Sequence, residues 1–402
     1  MTDAFIYDGI RTPFGRHSGT LSPVRADDLL GNLVRALVER SPFDGAQFED
    51  VVAGCTNQAG EDCRNVARRA GLLAGLPVEV GGITVNRLCA SGLAAVVDAS
   101  RAIACGQGEL FVAGGVESMS RAPFVMGKSE RAFGRTVAVY DTTLGSRFSN
   151  PRTTKLYGDH PMFETAEEVA RDLGLTRDAS DRFAARSQAH YAKAKSECFY
   201  SGEIHPVTVP GPKRGETTSV SEDEHPRPGT GMEKLATLRP LAEGGIVTAG
   251  NASGINDGAA ALIVGSRDVG DKAGATPIAR VVTAAAAGVE PRVMGLGPVP
   301  ATKKALARAG LTLADMDVIE INEAFATQVL GCLSLLEIAP EDSRVNPNGG
   351  AIAVGHPLGA SGARLALTAV RQLERVEGRY ALVTLCIGVG QGLAAVLERV
   401  AA

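Results

Sequence analysis

The last third of this chain repeats the plan of the first, and that duplication limits the possible folds more than any other feature. Phe48-Glu49-Asp50-Val51-Val52-Ala53-Gly54 has a counterpart in Ala314-Asp315-Met316-Asp317-Val318-Ile319-Glu320, each following a helical segment. Cys89-Ala90-Ser91-Gly92 opens a helix as Gly359-Ala360-Ser361-Gly362 does, and Val116 stands as far from Ser91 as Cys386 does from Ser361. A repeated strand–helix unit predicts two α/β halves related by a pseudo-twofold axis. Such an axis brings corresponding helix N-termini together, and with them Cys89 and His356.

At 402 residues the chain exceeds one ordinary core. Apolar alternation predicts a strand at Phe5-Ile6-Tyr7, a helix over 27–39 and a strand over 51–54. Helices over 64–73 and 90–104 and a strand over 110–113 follow. Residues 122–249 break the pattern with higher charge and with loop-like segments at Pro210-Gly211-Pro212-Lys213-Arg214 and Ser221-Glu222-Asp223-Glu224-His225-Pro226. Helices over 165–173 and 179–197 interrupt it, and alternation resumes with a small-residue helix over 256–262. The expected organisation is an N-terminal half over 1–121 to which 250–272 returns, an inserted loop domain over 122–249, and a C-terminal half over 273–402.

Composition excludes several classes. Net charge is −4, Trp is absent and no long basic run occurs, which argues against a nucleic-acid partner. No run approaches the ~18 apolar residues of a membrane helix. Met1-Thr2-Asp3-Ala4-Phe5 lacks the charge and apolar stretch of a secretory leader. The seven cysteines are scattered, and the closest pair, Cys55 and Cys63, has no His beside it to complete a metal pattern. Reduced thiols in a cytoplasmic protein, with no metal, are expected.

Few residues are placed for chemistry. Cys89 precedes a helix start, where free N–H groups and the helix dipole would lower its pKa and bind an oxyanion; the plainer reading is a small buried hydrophobe. His356 lies in Gly355-His356-Pro357, a turn rather than a helix face, and an imidazole near neutral pKa there would take the Cys89 proton. Cys386 ends the strand 381–385 and enters Ile387-Gly388-Val389-Gly390, where Gly388 lets a backbone N–H approach substrate; packing alone is the alternative. Asn322, after the strand 318–321, holds a water or substrate oxygen, caps a helix, or does both. Ser253, in Asn251-Ala252-Ser253-Gly254-Ile255-Asn256-Asp257-Gly258, binds a polar ligand arm or caps the helix expected to follow.

Six segments together resemble the thiolase family over the whole chain: Asn86-Arg87-Leu88-Cys89-Ala90-Ser91-Gly92, Gly114-Gly115-Val116-Glu117-Ser118-Met119-Ser120, Gly250-Asn251-Ala252-Ser253-Gly254, Asn322-Glu323-Ala324-Phe325, Gly355-His356-Pro357 and Cys386-Ile387-Gly388. The resemblance implies a duplicated five-layer αβαβα fold and a homotetramer, a dimer of dimers, that exchanges acyl groups with coenzyme A. It implies no permanently bound cofactor, coenzyme A and acetyl-CoA being substrates. By resemblance Cys89 is the acylated nucleophile, His356 its base and Cys386 the second acid/base. Asn322 holds a water that with His356 forms one oxyanion hole, and the N–H groups of Cys89 and Gly388 form the other. Ser253 matches a pantetheine contact, Arg227 one near the adenine nucleotide, and Met162, Ala324 and Phe325 the tunnel walls.

Two positions depart from the short-chain biosynthetic members: Pro161 replaces a His, and Lys234 a serine near the nucleotide. Instead Gly60-Glu61-Asp62-Cys63-Arg64-Asn65-Val66-Ala67-Arg68, Asp223-Glu224-His225-Pro226-Arg227-Pro228 and Met162-Phe163-Glu164-Thr165-Ala166-Glu167 resemble the β-ketoadipyl-CoA thiolases of aromatic degradation. Phe163 stands where those enzymes often have Pro, and Cys63 where they often have Asn. The expected reaction is cleavage of β-ketoadipyl-CoA to succinyl-CoA and acetyl-CoA, with acetoacetyl-CoA or broader 3-ketoacyl-CoA thiolysis as the alternative. Arg152, Lys155 and His160, in the inserted segment, are candidates for the distal carboxylate. A ketoacyl-synthase-type condensing enzyme shares the architecture, but Cys386-Ile387-Gly388 speaks against it. A non-catalytic CoA- or lipid-binding relative predicts a damaged set of catalytic side chains, and here the set is complete.

Overall fold

The computed structural model describes residues 2–400 apart from Pro212. The loop reading at Pro212 and the chain ends Met1, Ala401 and Ala402 lie outside the described residues. The first half supplies β1 (Ala4–Arg11), the short β2 (Gly15–Arg16), β3 (Asp50–Gly54), β4 (Gly81–Val85) and β5 (Leu110–Ser118). Two small hairpins follow, β6 (Phe124–Met126) with β7 (Val139–Asp141), and β8 (Val207–Pro210) with β9 (Thr217–Val220). Then come β10 (Asn256–Ser266), β11 (Ala279–Gly288), β12 (Val318–Ile321), β13 (Tyr380–Ile387) and β14 (Gln391–Arg399).

The main sheet runs β12-β13-β14-β11-β1-β10-β5-β3-β4. Among the described residues two strand pairs, Phe5–Arg280 and Ile6–Ala279, join its two parts. On one side of that seam β1, β10 and β5 are antiparallel in turn, while β3 and β4 continue parallel to β5. On the other side β11, β14 and β13 are antiparallel in turn and β12 is parallel to β13. A parallel bridge from Ile319 to Val345 stands beside β12 where the second half's counterpart of β4 would run. The same topology therefore occurs twice.

Three helical layers cover the two sheet parts. Helices Ala26–Glu39 and Val66–Ala74 cover the first part, and Pro298–Ala309 and Ala326–Leu335 cover the second. Between the parts lie Ser91–Ala104 and Leu358–Val376, whose Leu93, Val97, Leu365 and Val370 share one core. These two helices cross at glycines. A Cβ on Gly362 would lie 2.3 Å from Leu93 N, and one on Gly92 2.6 Å from the Gly359 carbonyl oxygen. Each helix start is thus seated against the other, which puts the turns bearing Cys89 and His356 on one side of the crossing.

Two expectations need correction. Residues 256–262 form β10, not a helix, and the segment from Asn251 feeds that strand. Asn-Asp-Gly-Ala-Ala-Ala-Leu-Ile-Val-Gly-Ser is buried at every position because β10 lies between β1 and β5 with helices on both faces. Small residues there answer crowding rather than helix propensity. Residues 122–249 also carry two helices that were not expected, Pro151–Tyr157 and Met232–Ala236, beside the two that were, Met162–Leu173 and Arg177–Ser196.

Candidate active site

The thiol turn is built by its neighbours. Leu88 adopts a left-handed φ of 46°, and its N–H donates to Asn86 Oδ1 at 3.0 Å. Ser91 Oγ accepts from Arg87 N–H at 2.8 Å and donates to the Leu88 carbonyl at 2.7 Å. Cys89, half-buried, therefore sits just before the helix cap Ala90. Its sulfur faces the Gly388 N–H, and burial pushes its pKa up to about 11, partly offset by that N–H and its own. The expected depressed pKa is not found: removal from water outweighs the helix start.

His356 is held as firmly. Gly355 has φ 106°, and a Cβ there would lie 2.6 Å from the Asn256 side chain. Asn256 accepts from His356 N–H at 2.9 Å and donates to the Gly15 carbonyl at 2.9 Å. The buried ring places Nδ1 2.6 Å from Ser361 Oγ and Nε2 3.3 Å from Asn322 Nδ2. Burial, and then the charge of Arg364, lower its pKa to about 3, far from the neutral value expected. Asn322 donates its backbone N–H to the Thr384 carbonyl on β13 at 3.0 Å. It caps no helix, since the following helix starts at Ala326 with Phe325 as its cap.

Cys386 is the penultimate residue of β13 and fully buried. Burial and then the neighbouring Cys89 raise its pKa well above that of an ordinary thiol. It packs with Met294 and Ala324, and Met162 and Phe325 close the cluster. A Cβ on Gly388 would lie 3.3 Å from Leu88 Cδ1 and 3.8 Å from Met162 Sδ, so Gly388 touches both the thiol turn and this wall. Ser253 N–H donates to the Ala324 carbonyl at 2.9 Å, and Ala252 pairs with Phe325. Cys89, Cys386, Gly388, Met162, Ala324, Phe325 and Ser253 thus form one contiguous surface, to which Asn322 links His356. The described hydrogen bonds include none between Cys89 and His356.

Arg227 is not in this cluster. It is exposed, and its N–H donates to Gln188 Oε1 at 3.0 Å. Its loop returns beside Ser253 through His225, the nearest neighbour of a Cβ on Gly254. Lys234, Arg152 and Lys155 are exposed, and His160 stands 3.8 Å from Glu164, so no described ion pair or hydrogen bond joins these cations to the thiols. Pro161 caps the helix that begins at Met162, Phe163 packs on Ala166, Val247 and Ala252, and Cys63 is half-buried with φ 51°. Among the described residues no group of three or more His, Cys, Asp or Glu stands together as a metal site.

Sequence reasoning missed Glu117, Asn256, Ser361 and Met294. Buried Glu117 accepts from Thr56 N–H at 3.0 Å, Asn57 N–H at 3.1 Å and Gly359 N–H at 2.9 Å, so it ties the first half to the start of the second half's inner helix. The acidic residue inside Gly114–Ser120 signalled it. Ser361 was visible only as part of a helix start, and nothing local pointed to Met294.

Comparison with known proteins shows the family and the fold. A family model described as thiolase, N-terminal domain, matches residues 4–268, and one described as thiolase, C-terminal domain, matches 275–399. The chain is 58% identical, over all 402 residues and all of the relative, to the 3-oxoadipyl-CoA/3-oxo-5,6-dehydrosuberyl-CoA thiolase of Escherichia coli K12. It is 56% identical to the beta-ketoadipyl-CoA thiolase of Pseudomonas aeruginosa, over 99% of each chain. Among solved structures, the Bacillus anthracis acetyl-CoA acetyltransferase superposes with a TM-score of 0.93 at 34% identity, covering 100% of this chain and 99% of that one. Human mitochondrial 3-ketoacyl-CoA thiolase gives 0.92 at 36% identity over 99% of both.

Proposed function

This chain belongs to the thiolase family of acyltransferases, and from that premise we propose that it cleaves β-ketoadipyl-CoA to succinyl-CoA and acetyl-CoA. The observation that carries the chemistry is the meeting of the Cys89 sulfur, the Gly388 N–H and buried Cys386 on one surface, with the Asn322–His356 pair beside it. The relatives named for the same six-carbon 3-keto acid support the substrate, at 55–58% identity over nearly the whole chain.

Chemistry proceeds in two half-reactions. His356 takes the Cys89 proton on Nε2, and the sulfur attacks the 3-keto carbon. The C2–C3 bond breaks, leaving a succinyl thioester on Cys89 and the enolate of acetyl-CoA. Asn322, through a water it would hold, and protonated His356 stabilise the enolate oxygen, and Cys386 protonates the enolate carbon. Coenzyme A then gives its thiol proton to the Cys386 thiolate and attacks the thioester carbonyl, whose oxyanion lies against the N–H groups of Cys89 and Gly388. Succinyl-CoA leaves as the Cys89–acyl bond breaks, and Cys89 takes back its proton from His356, which restores all three groups. Thiol and imidazole are both neutral at rest, so the ion pair forms only as the reaction starts. Apo hydrogen bonds at such sites tighten when substrate arrives.

Ser253, Met162, Ala324 and Phe325 line the pantetheine arm in this reading, and Arg227 meets the nucleotide at the surface. Coenzyme A is a substrate, not a resident group. The division into 1–121 with 250–272, 122–249 and 273–402 is part of the same proposal. So is a homotetramer, supported by the edge strand β4 with exposed Ile83 and by exposed Phe124, Met126, Phe133 and Leu156 in residues 122–249. A cytoplasmic location is proposed too; among the described residues no helix is long and apolar enough to cross a membrane. Comparing kcat/KM for β-ketoadipyl-CoA and acetoacetyl-CoA tests the substrate: preference for the former is expected, and preference for the latter overturns it.

A further inference from the structure

Ser361 lies in the first turn of helix Leu358–Val376 and is fully buried. Its Oγ stands 2.6 Å from His356 Nδ1 and 2.9 Å from the Pro357 carbonyl oxygen. A carbonyl only accepts, so the one hydroxyl proton goes to Pro357, and Oγ accepts from Nδ1–H. The other ring nitrogen leads to the same assignment. Nε2 faces Asn322 Nδ2, a donor, at 3.3 Å, and a protonated Nε2 would set two donors against each other.

We propose that Ser361 is a positioning residue that holds His356 in the Nδ1–H tautomer, leaving Nε2 bare as the proton acceptor of the site. This rests on the reading of His356 as the base for Cys89. A neutral ring with its proton on Nε2 has no lone pair there to receive the thiol proton. Once the proton has moved from sulfur to Nε2, the imidazolium still donates from Nδ1 to the same Oγ, so that bond need not reorganise during transfer, and only the Asn322 Nδ2 contact to Nε2 is given up. Remove the hydroxyl, and a buried Nδ1–H is left without that acceptor.

The duplication supplies an independent parallel. Ser91 holds the matching place in the first half, where its Oγ donates to the Leu88 carbonyl at 2.7 Å and accepts from Arg87 N–H at 2.8 Å. Each inner helix therefore offers a serine that donates to a carbonyl of its own preceding turn and accepts from a second N–H. In one half that second donor is backbone of the thiol turn, in the other the imidazole itself.

Neutron diffraction from deuterium-exchanged crystals of the whole enzyme tests the assignment. A deuteron on His356 Nδ1 and none on Nε2 is expected; a deuteron on Nε2 overturns the proposal. Single-turnover acylation with acetyl-CoA is the second readout. Ser361→Ala should slow it by roughly 10- to 100-fold, the value of a hydrogen bond to a charged group, without moving half-saturation. Ser361→Thr, which keeps the hydroxyl, should recover most of the rate. An alanine variant at wild-type rate, or a threonine variant as slow as alanine, overturns the positioning role, and if the variants do not fold the deuteron position decides alone. His356→Ala separates the two readings: wild-type acylation in that variant removes His356 as base, whatever the deuteron shows.

Discussion

Replacing Asn322 by alanine separates the two oxyanion sites of the mechanism. The side chain is fully buried and makes one hydrogen bond, Nδ2 to His356 Nε2 at 3.3 Å, while Oδ1 meets no partner among the described residues. The backbone N–H stays bonded to Thr384, so the fold loses one buried hydrogen bond and a small volume, about 1–2 kcal/mol. Catalysis loses more. Removing one donor from an oxyanion site costs about 3–4 kcal/mol, or roughly 100- to 1,000-fold in rate. The loss should fall on the enolate-forming half-reaction alone, because acyl transfer from Cys89 to coenzyme A uses the N–H groups of Cys89 and Gly388. Rapid-quench cleavage of β-ketoadipyl-CoA reads the first step, and exchange of labelled coenzyme A into acetyl-CoA through the acetyl-enzyme reads the second. Slow cleavage with near-normal exchange is expected. Equal loss in both, or wild-type cleavage, refutes the division of labour.

The resting pair gives a pH prediction. His356 titrates near 3 and Cys89 near 11, so below the first the imidazole cannot accept a proton, and above the second the thiol no longer holds one. Acylation of the free enzyme should be flat between pH 5 and 9 (roughly, by this bracketing) in kcat/KM profiles, and a limb of Cys89 or His356 inside that window contradicts it. Gly355→Ala forces a side chain to φ 106° and to within 2.6 Å of Asn256; stability should fall by roughly 2–4 kcal/mol in denaturant titration, an unchanged midpoint being the contrary result. Cys386→Ala should still acylate at Cys89 but lose exchange of the acetyl-CoA α-protons with solvent, followed by NMR in D2O; wild-type exchange assigns that proton transfer elsewhere.

The duplication was legible because spacing survives where identity does not: Ser91 to Val116 and Ser361 to Cys386 fall on equivalent helices and on equivalent strands β5 and β13. Residues 256–262 were misread because the run Ala259-Ala260-Ala261-Leu262 has the composition of a helix. Only the neighbours β1 and β5 reveal why the residues must be small. Several of the candidate residues come together around the thiols and Arg227 does not, while the expected proton affinities of Cys89 and His356 differ from those in the fold. A helix start lowers a thiol pKa only where water or charge does not outweigh it, and burial depth is a property of the assembled layers. The tie from Glu117 to Gly359 likewise joins residues from different halves, which no local pattern announces.

Whether a thioester forms on the first-half cysteine is the most direct question. Intact and peptide mass spectrometry of the enzyme quenched soon after mixing with β-ketoadipyl-CoA should find one succinyl group on Cys89 and none on Cys386, and no adduct in Cys89→Ser. A succinyl group on Cys386, or turnover with an unmodified Cys89, would contradict the account.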